Sequence, residues 1–508
     1  MLTISFRCQL PNGIHARPAS ALETRAAAFH SAITLINVTK SREASAKSVL
    51  ALVSADVTLG DECLLQIEGP DEAQAHAALA PFITDEFNES DAPLAQQETT
   101  NHALPVFLAR TTSQYVRGNG VSPGLAQGIA VQLTPFDLHA LAEAEPAGDV
   151  ELPLLQAALQ RVRHQLDDEA GRATGEAASI LDAQSQLLGD EAVEEILCAP
   201  REARNTLAAL ACAVDELRLP FRDSGSDYLR QRELDIEDLG LRLAACLTSR
   251  ITLPALTQDP IIVCHGRVTP GQLLALRSAG LQGIVMGEGA ETSHTVILAR
   301  ALGIPLLCVA LGFEQINEGD ALMLDARCGV LVITPDSQAN RWFTLEQQKQ
   351  QRMTSAVMAD DKPAIAPALV LLDASPVDKS EAIKRLTDNL HIQQRVLSGD
   401  DAERAIWQRE EVFTTALGFS VAIPHCKSPA ITHSSISVMR LTEPVAWGGD
   451  VDVQLIIMLT ISEHEADRHM RIFSALARKL MHESFRQQLM TVATPEAMVT
   501  MLSAELGL

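Results

Sequence analysis

No two cysteines stand at Cys-x-x-Cys spacing anywhere in the 508 residues, and the nine present (Cys8, Cys63, Cys198, Cys212, Cys246, Cys264, Cys308, Cys328, Cys426) are scattered. That pattern argues against disulfides and zinc and predicts buried thiols in a reducing cytoplasm. Basic residues are also scarce: 40 Lys and Arg against 65 Asp and Glu leave a net charge of −25. Binding a polyanion needs cations gathered on one face, so nucleic acid is excluded as a partner and an anionic membrane surface is disfavoured. Long apolar runs are missing too. The longest, around Val453 to Ile461, is broken by Gln454 and Thr460 and is far short of a membrane span, so no direct membrane insertion is expected. The start, Met1-Leu-Thr-Ile-Ser-Phe-Arg7, has neither the basic nor the apolar region of a secretory leader. Aromatic residues make up 4% against a hydrophobic content of 47%, a balance carried by Ala and Leu, as in helix-rich soluble enzymes.

A chain of this length exceeds one core and predicts three or four units. Residues 1–90 read as a small α/β unit, with a helix from about Ala16 to Phe29, strands at Ile33–Val38 and Cys63–Ile67, and a helix at Asp71–Ala80. A polar stretch over 91–117 reads as a linker. Residues 118–336 alternate strands (Ile261–Cys264, Gly283–Met286, Pro305–Val309, Gly319–Ala326) with helices, interrupted by an almost wholly helical insertion at about 150–250. The Gln- and charge-rich segment 337–366 reads as a second linker. Residues 367–508 alternate again: helices near Lys379–Leu390, Ala402–Thr414 and Met470–His482, and strands near Ile436–Leu441 and Val453–Leu459.

Three histidines sit in distinctive local frames, one in each of these units. Imidazole carries a phosphoryl group reversibly near neutral pH, because its neutral ring nitrogen is a nucleophile. His15, in Asn12-Gly-Ile-His-Ala-Arg17-Pro18, follows a turn signal and precedes a helix whose free N–H groups favour an anion, with Arg17 as a nearby cation. His294, in Glu291-Thr-Ser-His-Thr295, is flanked by the hydroxyls of Thr292 and Ser293, which can bond the ring and phosphate oxygens. His425, in Ala422-Ile-Pro-His425-Cys-Lys, closes an apolar strand, with Arg409 upstream and His469 at the start of a later helix.

The first frame, together with Ala44-Ser-Ala-Lys-Ser48, resembles the histidine-containing phosphocarrier HPr over residues 1–90. That resemblance implies that His15 is phosphorylated, that Arg17 contacts the phosphate, and that Ser48 stands where some bacteria carry a regulatory phosphoserine. Residues 118–336 resemble the amino-terminal half of enzyme I of the bacterial sugar phosphotransferase system, through the His294 string, Ser226-Asp-Tyr-Leu-Arg-Gln-Arg232 and Leu324-Asp-Ala326. Three positions depart from that family: Glu291 for an Arg, Leu273 for a hydroxyl residue, and Gln184 for a helical His. Residues 367–508 resemble the fructose and mannitol type of enzyme IIA, which implies phosphorylation of His425 with Arg409 and His469 as its partners. The fold implied is a multidomain α/β and α+β protein: an HPr-like open-faced sandwich, a phosphohistidine α/β domain with a helical-bundle insertion, and an enzyme IIA-like α/β sandwich.

In enzyme I a phosphoenolpyruvate-binding barrel of about 250 residues follows the phosphohistidine half; here 337–366 leaves no room for one. The resemblance therefore implies a phosphotransferase that relays phosphate among histidines without a cofactor of its own, Mg²⁺ and phosphoenolpyruvate being needed only by a separate enzyme I. Its implied partners are enzyme I, HPr and a fructose-like enzyme IIB/IIC permease. The alternative is a regulatory protein whose phosphorylation state is read by partners, or a truncated relic. Metal signals fail: His464-Glu465 with His469 places its histidines five residues apart, off a shared helix face, and Cys264-His265 and His425-Cys426 lack further ligands.

Overall fold

The computed structural model describes the chain apart from residues 88–103, 223–229, 231, 249–255, 257, 290–292, 356–361, 449–450, 464–471, 473–474 and 507–508, and apart from the side chains of residues 16, 17, 176, 354 and 355. It divides into two compact units: residues 1–103 with 114–334, and residues 104–113 with 335–508.

Unit 1 begins with β1 (Leu2–Arg7), α1 (Ala16–Ala26), β2 (Ala32–Asn37), β3 (Arg42–Ser45), α2 (Val49–Ser54), β4 (Glu62–Glu68) and α3 (Glu72–Pro81). The strands form an antiparallel sheet in the order β1-β4-β2-β3. Alternation in β4, with Cys63, Leu65 and Ile67 buried, turns one face of the sheet inward against the helices. After β5 (Gln114–Arg117), β6 (Asn119–Ser122) and β7 (Leu125–Gln132), the described residues form the helices α4 (Leu138–Ala144), α5 (Leu152–Arg172), α6 (Glu176–Leu188), α7 (Glu191–Cys198), α8 (Thr206–Arg222) and α9 (Glu233–Leu247). It then returns to β8 (Pro260–Cys264), α10 (Pro270–Ser278), β9 (Gly283–Met286), α11 (His294–Ala301), β10 (Leu306–Cys308), β11 (Ala321–Asp325) and β12 (Val330–Ile333). Eight described strands make one sheet, β5-β12-β11-β7-β8-β9-β10-β6, in which β7, β8, β9 and β10 run parallel. β8 and β9 are buried throughout, as expected of parallel strands covered on both faces.

The HPr-like part does not stand apart from the rest of unit 1. One apolar cluster joins Leu22 and Leu50 to Leu155, Leu187 and Leu197 of the helical insertion.

Unit 2 opens with the helix α12 (Ser337–Ser355), followed by β13 (Val370–Ala374), α13 (Lys379–Ile392), α14 (Gly399–Val412), β14 (Ala416–Gly418), β15 (Val421–Ala422), β16 (His425–Lys427), β17 (Ser435–Gly448), β18 (Val451–Ile461), α15 (Glu483–Thr491) and α16 (Pro495–Leu506). Its six-stranded sheet has helices on both faces: one apolar cluster gathers α13 and α14, the other α15 and α16.

The structure corrects the reading of 337–366 as a linker from its start. α12 packs on α13, with Trp342 stacked on Phe107 at 4.2 Å between ring centres. Its charges misled the sequence reading because two of them are buried in pairs. Glu346 binds Lys384 at 2.5 Å, and Lys349 binds Asp388 at 2.9 Å. The end of the 91–117 segment likewise carries structure: 104–113 belongs to unit 2, and Gln114–Arg117 is strand β5, paired with β12. Among the described residues, no helix is long and apolar enough to cross a membrane.

Candidate functional site

His15 is the N-cap residue of α1, next to the free N–H groups of its first turn, and its side chain makes no capping hydrogen bond to them. The turn before it requires glycine: Gly13 has φ +72°, and a Cβ there would lie 2.3 Å from the Val57 carbonyl oxygen. Ile14 N–H donates to that same oxygen at 2.9 Å and so ties the loop to the sheet. His15 is only 4% exposed, because the helical insertion covers it. Ser48 caps α2, accepting from Ala51 N at 3.1 Å, and donates to Asp190 Oδ2 at 3.0 Å. Asp190 also accepts from Leu50 N and, through its other oxygen, from Ala192 N, so one carboxylate caps α2 and α7 together. Ser20 adds a hydrogen bond to Gln186 on α6.

His294 is the first residue of α11. Ser293 supplies the cap, its hydroxyl accepting from Val296 N, and Thr295 donates to Val268 O at 2.7 Å, which fixes the helix start to the loop between β8 and α10. Nδ1 of His294 lies 2.8 Å from Asp235 Oδ2 on α9, at pairing distance but short of a linear hydrogen bond. This contact places the ring proton on Nδ1 and leaves Nε2 as the nucleophilic atom. Burial pushes the pKa of His294 down to about 4; Arg232 and His15 act in the same direction, while Asp235 opposes them. The effect of His15 on His294 puts the two side chains within electrostatic reach of each other, and α6 packs on both of their helices. Leu273 is fully buried in the cluster that holds Val296 and Ile297, so no hydroxyl reaches the ring from that position.

A pKa near 4 keeps His294 neutral over the physiological range. In an NMR titration from pH 8 to 5, the His294 ring resonances should stay at their neutral-imidazole values; a midpoint near 6.5 would contradict the burial argument. Because the unfolded chain protonates this residue first, its contribution makes stability fall as pH drops from 6.5 towards 4.

In unit 2, β16 lies parallel to β18, with His425 opposite Leu459, and Pro424 precedes it. Nδ1 of His425 is 2.9 Å from the carbonyl oxygen of Ile423, an acceptor, so Nδ1 carries the proton and donates. Nε2 accepts from Arg409 Nε at 3.2 Å. Arg409 ends α14 and is steadied by a bond from its Nη1 to Phe413 O at 3.1 Å. The neighbouring Glu410 turns inward, binds Lys379 at 2.6 Å and accepts from Thr415 N at 3.1 Å. Thr415 O in turn accepts from Ile423 N at 3.0 Å, which sets the strand that orients His425.

The structure thus brings His15, His294 and Ser293 into unit 1, and His425 and Arg409 together in unit 2. Thr292, Glu291 and His469 lie outside the described residues, as does the side chain of Arg17. Sequence reasoning missed Asp235 and Asp190, and gave Arg232, the last residue of the Ser226–Arg232 string, no role of its own. A signal for Asp235 existed: it falls beside Leu234 and Ile236 on α9, where the helix buries its apolar face.

Four family models match the chain: "PTS HPr component phosphorylation site" over residues 2–85, "PEP-utilising enzyme, N-terminal" over 117–232, "PEP-utilising enzyme, mobile domain" over 256–329, and "Phosphoenolpyruvate-dependent sugar phosphotransferase system, EIIA 2" over 364–505. Multiphosphoryl transfer protein 2 of Escherichia coli is 35% identical over 361 residues, which cover 69% of this chain and 43% of that protein. The phosphoryl donor subunit DhaM of a PEP-dependent dihydroxyacetone kinase from Providencia stuartii is 26% identical over 339 residues, covering 65% of this chain and 67% of that one. Among solved structures, the nitrogen regulatory protein IIA-Ntr from Neisseria meningitidis is 28% identical and covers 27% of this chain and 96% of its own, with a TM-score of 0.26. The chain spans less than half the length of the multiphosphoryl transfer protein it matches.

Proposed function

We propose that this chain, which belongs to the multidomain proteins of the phosphoenolpyruvate-dependent sugar phosphotransferase system, relays phosphate between histidines and hands it to a separate fructose-type enzyme IIB. The observation that carries the reading is the pairing in unit 1. His15, 4% exposed, and a His294 whose side chain is 11% exposed come from different sequence modules, lie within electrostatic reach of each other and belong to helices that both pack on α6. Such a site suits exchange of a phosphoryl group: neutral ring nitrogens attack, fixed N–H groups and cations balance charge on the phosphoryl oxygens, and little water can intercept it.

Phosphate reaches His15 from a separate enzyme I, or from phosphorylated HPr acting in reverse. A covered His15 meets such a donor only when the HPr-like part lifts from Asp190 and Gln186, so the docked state exchanges with His294 and the released state serves other partners. Tethering then holds one station near the next at an effective concentration on the order of millimolar, provided the connecting segments span the distance. At the exit, Arg409 and a tautomer fixed by Ile423 leave Nε2 of His425 as the atom that takes and gives phosphate. Val412, Phe413, Leu417 and Phe419, the first 80% exposed, are exposed apolar residues on the stretch between Arg409 and His425, a composition that suits a docking protein. The scattered cysteines, none at Cys-x-x-Cys spacing, support a cytoplasmic setting.

On this reading the chain has no cofactor of its own. Incubated with labelled phosphoenolpyruvate and Mg²⁺ alone, the purified 508-residue chain should gain no acid-labile phosphate, and adding enzyme I should load it. Rapid labelling without enzyme I would overturn the need for an outside donor.

A further inference from the structure

In unit 1, α6 is the element on which the two phosphohistidine stations meet. It packs on α1, which His15 caps, on α11, which begins at His294, and on α9, which carries Asp235. Its inward side is apolar, with Ala177, Ile180, Leu181, Leu187 and Leu188 all buried, and the buried Ser185 is satisfied by Asp167 at 2.5 Å. Gln184 breaks this pattern. It is 2% exposed, and neither Oε1 nor Nε2 has a hydrogen-bond partner among the described residues.

Buried amides in folded proteins are almost always bonded, so a fully orphaned one calls for an explanation. Ala177 and Ile180 share a cluster with Val296 and Ile297 of α11, and Gln184 follows them at seven and four residues, on the same helix face. The orphaned amide is therefore aimed at the helix that starts with His294. A phosphoryl group moving between two histidines brings three acceptor oxygens, and an amide N–H can donate to one of them without adding charge.

We propose that Gln184 Nε2 donates a hydrogen bond to the phosphoryl group in transit between His15 and His294, which makes Gln184 a catalytic residue of that exchange. The inference rests on the relay reading above. In the step, the bond from phosphorus to one histidine nitrogen breaks, its electron pair stays on that nitrogen, and a bond to the other histidine forms. Gln184 keeps its proton throughout, and no oxidant, reductant or co-reactant is consumed.

The test uses the full chain with His425→Ala to hold phosphate in unit 1, loaded by enzyme I and labelled phosphoenolpyruvate, quenched at intervals and mapped by peptide. Gln184→Leu should slow exchange between His15 and His294 by about 100-fold, while its melting temperature stays level or rises, since an orphaned amide has been replaced by an apolar group of similar size. Gln184→His, which restores a donor, should recover at least about a tenth of the rate. If Gln184→Leu exchanges at the parent rate, the assignment to Gln184 is wrong although the relay stands. A slow exchange accompanied by a lowered melting temperature and no recovery in Gln184→His would make the residue structural and overturn the assignment. Absence of label on His294 in the parent protein would remove the relay itself, and Gln184's role with it.

Discussion

In the His425→Ala protein, phosphate supplied by phosphoenolpyruvate and a separate enzyme I should load His15 at the wild-type rate, exchange with His294, and go no further than unit 1. The reason lies in unit 2. His425 presents Nε2 with its proton fixed on the opposite nitrogen by Ile423 O, and Arg409 Nε lies 3.2 Å from that atom, placed to neutralise the arriving charge. Deleting the nucleophile removes the acceptor as well as the atom that releases phosphate, so transfer to a fructose-type enzyme IIB should fall on the order of 10⁴-fold or more, to the blank rate. Unit 2 should still fold, because His425 is only partly buried and its strand is held by main-chain pairing to β18. Mixing labelled protein with enzyme IIB and counting label on each partner measures this. Undiminished transfer from His425→Ala would move the exit to another histidine and leave unit 2 as a regulatory module.

His15→Ala should have an effect of similar size at the other end. Of the histidines in unit 1, His15 sits on the part that one hydrophobic cluster, a shared carboxylate cap and a single Ser20–Gln186 bond hold to the helical insertion. These are contacts that can open. His294, by contrast, lies against Asp235 with its side chain 11% exposed, at the start of a helix that Thr295 ties to Val268, and is poorly placed to meet an outside donor. Removing His15 should therefore cut label uptake from enzyme I to background in both units. Wild-type uptake by His15→Ala, measured as acid-labile phosphate per chain, would contradict the assignment of His15 as the loading point.

Much of this was legible in the sequence because it depends on local chemistry. The helix after His15 follows from its glycine turn and first-turn proline. The buried parallel strands Pro260–Cys264 and Gly283–Met286 read as short apolar runs, and β18 as an apolar run extended by two residues at each end. The failures have a common physical source, which is that burial reverses the meaning of a polar residue. Glu346 and Lys349 made 337–355 look like solvated linker, yet pairing with Lys384 and Asp388 lets them lie inside unit 2. Asp235 looked like one acid among many on an acidic helix, and only the fold brings it to His294, 59 positions later. The apolar pattern places β17 near Ile436–Leu441; a shift of register between Arg440 and Val445 carries the strand past Pro444, which cannot donate to a ladder, to Gly448. Gln184 was noted as a departure from a family pattern, but a string of letters cannot show an amide without a partner.

The central claim is an ordered passage of phosphate from His15 to His425 through one chain, and a pulse experiment tests it most directly. Enzyme I and labelled phosphoenolpyruvate are given for a short pulse, chased with excess unlabelled phosphoenolpyruvate, and the chain is quenched at intervals and cleaved to separate peptides bearing His15, His294 and His425. The relay predicts that label appears first on the His15 peptide and then on that of His425, and that His15→Ala abolishes both signals. Label arriving on His425 as early as on His15, and persisting in the His15→Ala protein, would contradict it.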